Sequence, residues 1–457
     1  MRDILAFFSA PSLWPQLTLG SGILCCLAAG MARGLEAATS RVLGTAALIV
    51  ALWMLLFTKL GAAGPLVTLD SLGLAWQILF YAGSLPVFLS LEADDEVPAA
   101  LLLGAGLGMG LMAAGGSLLM LFVGLELASL PSYLLVAKLR SPSAPPFEAA
   151  VKYFFAGALA SCLFALGMAL HYAASGSLAL SSAPGPMGQA GLALMGAAAL
   201  FKLGAVPFHF WLPDVYESCA PALAGFLSTS VKSAAVFLLM RLASIGMGSA
   251  MAASLPWIGA VTALYGALLA LRQERLQRLL AYSSVSHAGI IVLGVGAWAA
   301  QGCDRAAAAP IFFYGLVYLF MSNGAFFFVK ASGLTKRGEV GGYARMCPVP
   351  AALFATLLLS LAGIPPSGGF LAKLFIFWEA VKAGLYLPVA GAALAALIGL
   401  GYYLGLIRDM YFDEPVWRRP SWEPGAVRWV LWACATAAAA LGVLPWVFSS
   451  VLERIFS

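Results

Sequence analysis

Five ionisable side chains, Glu126, Lys152, Lys202, Lys232 and Lys373, sit inside runs otherwise long and apolar enough to cross a bilayer. A charge at the centre of a membrane helix costs about 2.5–3.5 kcal/mol on insertion scales, so five uncompensated ones would cost roughly 12–18 kcal/mol. A chain carries such groups only where they face protein or water and act there. The pattern points to charge movement through a membrane.

Composition fixes the class. Of 457 residues, 62% are hydrophobic and 10% charged, against about 25% charged in a soluble domain. The net charge of +5 comes from basic residues scattered between apolar runs, an arrangement that argues against a nucleic-acid partner. The seven Cys include no Cys-x-x-Cys pair, so neither an iron–sulfur nor a zinc ligand set is readable. The first apolar run follows Arg2 and Asp3 without a basic leader, and is expected to be a retained helix.

About 20 apolar residues cross the hydrocarbon core. That rule predicts an all-α polytopic membrane protein with 14 spans, near 12–31, 42–60, 70–91, 97–114, 117–138, 147–173, 189–212, 219–246, 254–271, 279–300, 308–331, 350–383, 386–411 and 427–450. Span twelve is too long for one straight helix and is interrupted by Gly363-Ile364-Pro365-Pro366-Ser367-Gly368-Gly369. Span seven is broken at Val206-Pro207 and Leu212-Pro213. Two such breaks five spans apart are a mark of internal repeats, and five is odd, so the repeats must be inverted. The expected organisation is a three-helix segment over 1–96, repeats over 97–246 and 254–411, and a final helix within 427–457.

Loop charges give orientation. With both termini on the outer (periplasmic) side, 15 basic residues fall in inner loops, among them Arg33, Arg41, Arg272, Arg275, Arg278, Arg418 and Arg419. Six stay outside: Arg2, Lys59, Arg241, Arg305, Lys382 and Arg454. The acidic cluster Glu92, Asp94, Asp95 and Glu96 opposes this assignment, but acidic residues contribute little to the rule.

A proton path needs groups that gain and lose a proton at similar cost. Desolvation disfavours a buried ammonium and a nearby carboxylate favours it, so moving the carboxylate's influence switches a lysine between holding and releasing. Glu126 and Lys202 are the natural pair, with Lys202 five residues before Pro207. Lys232 is mid-span and Lys373 lies just past the second break. Lys152, close to a helix start, reads equally well as a side chain reaching the headgroups. His287 is a candidate relay between the repeats, though a satisfied core histidine fits its position as well. His209 falls in the first break and is a candidate lining group, and His171, near a helix end, is read as inert. The run Gly104-Ala-Gly106-Leu-Gly108-Met-Gly110 lacks the strand and acidic residue of a dinucleotide site, and close helix packing accounts for it.

Four stretches carry a resemblance. Glu126-Leu-Ala-Ser-Leu-Pro-Ser-Tyr-Leu-Leu135, Phe201-Lys-Leu-Gly-Ala-Val-Pro-Phe-His-Phe-Trp-Leu-Pro-Asp-Val-Tyr-Glu217, Arg278-Leu-Leu-Ala-Tyr-Ser-Ser-Val-Ser-His-Ala-Gly289 and Leu361-Ala-Gly-Ile-Pro-Pro-Ser-Gly-Gly-Phe-Leu-Ala-Lys373 resemble the subunit N family of NADH-quinone oxidoreductase, respiratory complex I. The resemblance runs over about residues 70–410, and its Pro-Asp-Val-Tyr-Glu ending looks like subunit N more than its antiporter-like sisters. One departure is Ser218-Cys219-Ala220-Pro221, where the family usually has Gly before Ala-Pro.

The resemblance implies an antiporter-like, proton-translocating subunit, with channel residues at Glu126, Lys202, Lys232 and Lys373. It implies no cofactor on this chain. NADH, FMN, iron–sulfur clusters and quinone are expected in partner subunits, reached through other complex I membrane subunits in the cell inner membrane. The expected path wets an inner half-channel near Lys202, links through Lys232 and His287, and leaves by Lys373. A subunit of a multi-subunit cation/proton antiporter, or of a membrane-bound hydrogenase, shares the architecture. A purely structural membrane subunit gains nothing from buried lysines.

Overall fold

The computed structural model describes residues 11–31, 37–62, 66–91, 97–141, 147–181, 185–247, 249–416 and 425–444. Arg2, Arg33, Arg418, Arg419, Arg454, the 92–96 acidic cluster and both chain ends, all used in the orientation argument, lie outside these residues.

The described chain is almost wholly helical. In order, the helices are α1 (Trp14–Met31), α2 (Ala37–Leu55), α3 (Ser71–Ser90), α4 (Val97–Ala113), α5 (Leu118–Lys138), α6 (Glu148–Ser175) and α7 (Gly185–Leu203). Then come α8 (Leu212–Ser218), α9 (Pro221–Phe226), α10 (Lys232–Ser244), α11 (Ser249–Ala270), α12 (Leu276–Ala300) and α13 (Ala309–Ser332). The last five are α14 (Tyr343–Met346), α15 (Pro348–Ala362), α16 (Gly368–Lys382), α17 (Tyr386–Phe412) and α18 (Ala426–Val443). A two-residue hairpin, β1 (Gly61–Ala62) with β2 (Thr68–Leu69), pairs antiparallel. Nine of the described helical segments are long and apolar enough to cross a membrane, and four more are apolar but shorter.

Two of the connections are breaks in a helix. After α7 the chain turns at Gly204, φ +73°, and re-enters helix at Leu212; after α15 it turns at Gly363, φ +80°, and re-enters at Gly368. Glycine reaches this left-handed backbone without strain, which is why it ends helices. At Gly363 the closing bonds form the paired helix-end motif: Gly363 N–H donates to Leu359 and Ser360 carbonyls, and Ile364 N–H to Leu359 at 3.1 Å. Pro365 and Pro366 cannot continue a helix, and Ser367 starts the next by accepting from Phe370 N–H at 3.4 Å. A third irregularity is the π-turn Leu227–Val231 between α9 and α10.

Contacts divide the chain into two units. The first comprises Met1–Arg140, Pro145–Lys202 and Ser230–Met251. Its tightest packing joins α4 and α5 through facing glycines: a Cβ at Gly108 would come within 2.3 Å of the Ala128 backbone nitrogen. The glycine run thus serves helix approach. The second unit comprises Ser141–Ala144, Leu203–Thr229 and Ala252–Ser457. There α13 packs on α15, α16 and α18, with Phe328 stacked on Phe354 at 3.9 Å. The segments Pro221–Ser244 and Leu276–Ala300, which carry Lys232 and His287, are almost wholly enclosed by protein.

Candidate functional site

In the first unit, Glu126, Ser129 and Tyr133 recur at three and seven residues along α5, which places them on one helix face. Lys202, buried on the last turn of α7, reaches that face. Its Nζ donates to Ser129 Oγ at 2.7 Å and to the Tyr133 hydroxyl at 2.5 Å. Glu126 Oε1 accepts from the Ser161 hydroxyl of α6 in a short bond. The ammonium is therefore held by neutral hydroxyls, with the carboxylate one turn away on the same helix. Two features build this pocket. Tyr133 stands edge-on against Tyr153, 4.6 Å between centroids, and its hydroxyl occupies the space a side chain at Gly157 would fill.

Lys232 is buried at the first position of α10, directly after the π-turn. That turn carries three buried hydroxyls, Ser228, Thr229 and Ser230. Irregular turns of this kind free backbone groups and occur often at functional positions.

In the second unit, Lys373 projects from α16 back across the break. Its buried Nζ donates to the carbonyls of Leu361 and Ala362, 2.8 Å each, at the C-terminal end of α15. Those carbonyls have no partner inside their helix, and the negative end of the helix dipole favours a cation there.

His287 lies buried on α12 between two phenols. Its Nδ1 is 2.7 Å from the Tyr314 hydroxyl and its Nε2 3.3 Å from that of Tyr403. Tyr403 continues to Ser283, and the Tyr318 ring lies 5.2 Å from the imidazole, centroid to centroid. A neutral imidazole with one N–H and one free nitrogen can accept a proton on one side and release one on the other.

The remaining expected residues take other places. Lys152 is about half exposed on α6 and pairs with Glu148 one turn earlier at 2.8 Å. His209 lies in the 204–211 break with its ring edge-on to Tyr265 at 4.5 Å. His171 is fully buried on α6. Among the described residues no group of three His, Cys, Asp or Glu is placed to hold a metal ion.

Ser129, Tyr133, Ser161, Tyr314, Tyr318 and Tyr403 were not among the residues expected from sequence. The signal for the first two was their spacing from Glu126. For α13 it was Tyr314, Tyr318 and Ser322 repeating every four residues in an apolar helix.

A family model, NADH:quinone oxidoreductase/Mrp antiporter transmembrane region, matches residues 115–399, which include Lys152, Lys202, Lys232 and Lys373. The chain belongs to this family. Its curated relatives include subunits N of NADH-quinone oxidoreductase. The one from Halorhodospira halophila is 40% identical over 332 residues, 69% of this chain and 67% of that one. The one from Sphingopyxis alaskensis is 34% identical over 88% of each chain. Among solved structures, a chain of respiratory complex I from Thermus thermophilus superposes with TM-score 0.85 at 32% identity, covering 96% of this chain and 98% of that one. A chain of the Mrp complex from Dietzia sp. shares the fold at 22% identity and TM-score 0.83.

Proposed function

We propose that the chain is the proton-translocating subunit N of an NADH-quinone oxidoreductase. Its helices make 14 spans of the cell inner membrane with both ends on the periplasmic side. Residues 97–246 and 254–411 are inverted five-helix repeats, flanked by 1–96 and 427–457. NADH, FMN, iron–sulfur clusters and quinone belong to partner subunits, and the coupling arrives through adjoining membrane subunits. The names of the relatives support this assignment.

The observation that carries it is Lys202: a buried ammonium at a helix break, held by two neutral hydroxyls on the helix face that also carries Glu126. With Glu126 charged, the ammonium is favoured. When Glu126 turns away, that favour is lost and the same amine in a dry site hands its proton on. Lys232 acts in the same unit; His287 and Lys373 act in the second. Neither Lys202 nor Lys373 needs a redox group to do this.

The test uses the assembled complex in sealed vesicles. Lys202→Ala and Lys373→Ala should each abolish most NADH-driven proton uptake while the complex still assembles. Full pumping by either variant would overturn the assignment of that lysine, and full pumping by both would overturn the proposal. Sodium uptake replacing proton uptake would instead favour a cation antiporter.

A further inference from the structure

The buried polar residues of the first unit are not exhausted by its lysines. On α3 and its cap, Asp70, Gln77, Tyr81 and Ser84 follow at intervals of seven, four and three residues. At 3.6 residues per turn they share an arc of about 60° and extend about 21 Å. Gln77, Tyr81 and Ser84 are fully buried.

Midway along this face, three side chains converge on Gly110 of α4. Gln16 of α1 and Gln77 both donate from Nε2 to the Gly110 carbonyl, at 3.2 and 3.1 Å. The Tyr81 hydroxyl approaches the α-carbon so closely that a Cβ at Gly110 would lie 2.0 Å from it. The amide oxygens of Gln16 and Gln77 and the Tyr81 hydroxyl are all buried and have no hydrogen-bond partner among the described residues. A buried polar atom left without a partner is costly. Turning either amide around gives no relief, because it would set two carbonyl oxygens against each other and orphan the NH₂.

Two acceptors and one hydroxyl match a water molecule, which would donate to both amide oxygens and accept from Tyr81, the usual three bonds of a buried water. A metal cation fits poorly, since both NH₂ groups crowd the shared carbonyl and the stripe's one carboxylate, Asp70, is taken by both guanidinium nitrogens of Arg241. At the other end, Ser84 and Ser230 both donate to the Phe80 carbonyl, at 2.8 and 3.0 Å, with their hydroxyl oxygens 3.5 Å apart. Ser230 lies two residues before Lys232.

We propose that this face of α3 is a water-holding stripe: Gln16, Gln77 and Tyr81 bind an internal water, and the stripe carries protons from Lys232 to the Asp70–Arg241 pair, separately from Lys373. Along it each hydroxyl or water oxygen accepts one proton and releases another, and nothing is oxidised or reduced. The glutamines orient water and do not titrate. The route rests on the reading of Lys232 as a proton-handling group.

The assembled complex in vesicles tests it with Tyr81→Phe and Gln77→Leu, against Lys232→Ala as control. Both stripe variants should lower the proton uptake rate by at least about threefold, and a water-resolving map of the wild-type complex should show density within hydrogen-bond reach of Gln16, Gln77 and Tyr81. Wild-type uptake in both stripe variants with loss in Lys232→Ala overturns the stripe and leaves the proposed function standing. Wild-type uptake in Lys232→Ala removes the route's starting point and counts against the proposed role of Lys232 itself. A map with nothing at the three side chains overturns the water site. Should Gln77→Leu fail to assemble, Tyr81→Phe, which keeps the ring, decides alone.

Discussion

Lys373 reaches across a helix break to bind the carbonyl of Leu361, twelve residues earlier in the chain, at 2.8 Å. Its stem lies against Gly363, where a Cβ would come 2.9 Å from Lys373 Cδ and 3.0 Å from Nζ. Gly363 also holds a φ of +80°. Gly363→Ala should therefore do two things: strain the backbone by about 1 kcal/mol or more and push the ammonium off the carbonyls. Proton uptake should fall as it does in Lys373→Ala, even though no titratable group is lost. Normal pumping by Gly363→Ala would show that the position of the amine does not matter.

Lys202 depends on Tyr133 in the same way. A hydrogen bond to a charged group contributes about 1.5–3 kcal/mol, so Tyr133→Phe should shift the balance between held and released proton by about tenfold or more. Gly157→Ala should reproduce the effect, since the new methyl would collide with the phenol oxygen. The pH profile of proton uptake is the readout. A profile unchanged in both variants would mean the phenol only fills space.

How far the sequence carried follows from the kind of signal each residue gave. Lys202, Lys232 and Lys373 were visible because a charge in an apolar run is expensive wherever it points. The breaks were visible because Gly and Pro act locally. Ser129 and Tyr133 were readable only in retrospect, since a hydroxyl in a membrane helix can satisfy itself on its own backbone, as Ser129 does with Leu125 at 2.6 Å. Tyr402 and Tyr403 adjoin in sequence, and nothing local says which one meets His287. The acceptors of Lys373 are main-chain atoms, which leave no mark on sequence at all.

The two phenols on His287 should differ in weight. The Tyr314 contact is 2.7 Å and the Tyr403 contact 3.3 Å, so Tyr314→Phe should slow proton uptake more than Tyr403→Phe. Both keep the ring and its packing. A solvent deuterium isotope effect on uptake that changes in neither variant would remove His287 from the rate-determining transfers.

Acid should weaken the loop after α13 only once the pH falls below the ordinary carboxylate range. Partial burial pushes the Glu339 carboxyl up, but the backbone N–H groups of Lys336 and Thr335, the Thr335 hydroxyl and the Lys336 charge outweigh it and hold it below 4.5. A carboxyl held low in the folded state adds stability that is present above the ordinary value and lost as pH falls through the lowered one. The stability gap between wild type and Glu339→Gln should thus be flat from neutral pH down to about 4.5 and close below it. Thermal unfolding across that range is the measurement, and a gap that widens on acidification would reverse the sign.

The short helix α8 has seven residues and follows directly on a break, so its own length cannot hold it. It is tied to the start of α12. Arg278 binds Asp214 at 2.9 Å and Glu217 at 2.8 Å, Arg275 adds a second contact to Glu217, and Gln277 Nε2 donates to the Tyr216 and Cys219 carbonyls at 3.0 Å. Arg278→Ala leaves two carboxylates partly buried without their shared partner. Allowing for their solvent exposure, the expected loss is about 1–2 kcal/mol, and it should be local. Amide hydrogen exchange across 205–219 should rise while exchange in α13 stays unchanged. Arg278→Lys should give an intermediate result, because the ammonium sits on a shorter stem and falls short of the point from which Nη1 meets both carboxylates. Adding Asp214→Asn and Glu217→Gln to Arg278→Ala should recover part of the protection, since the uncompensated charges are then gone. A triple variant no better protected than Arg278→Ala would mean that the arginine holds α8 by packing and not by charge.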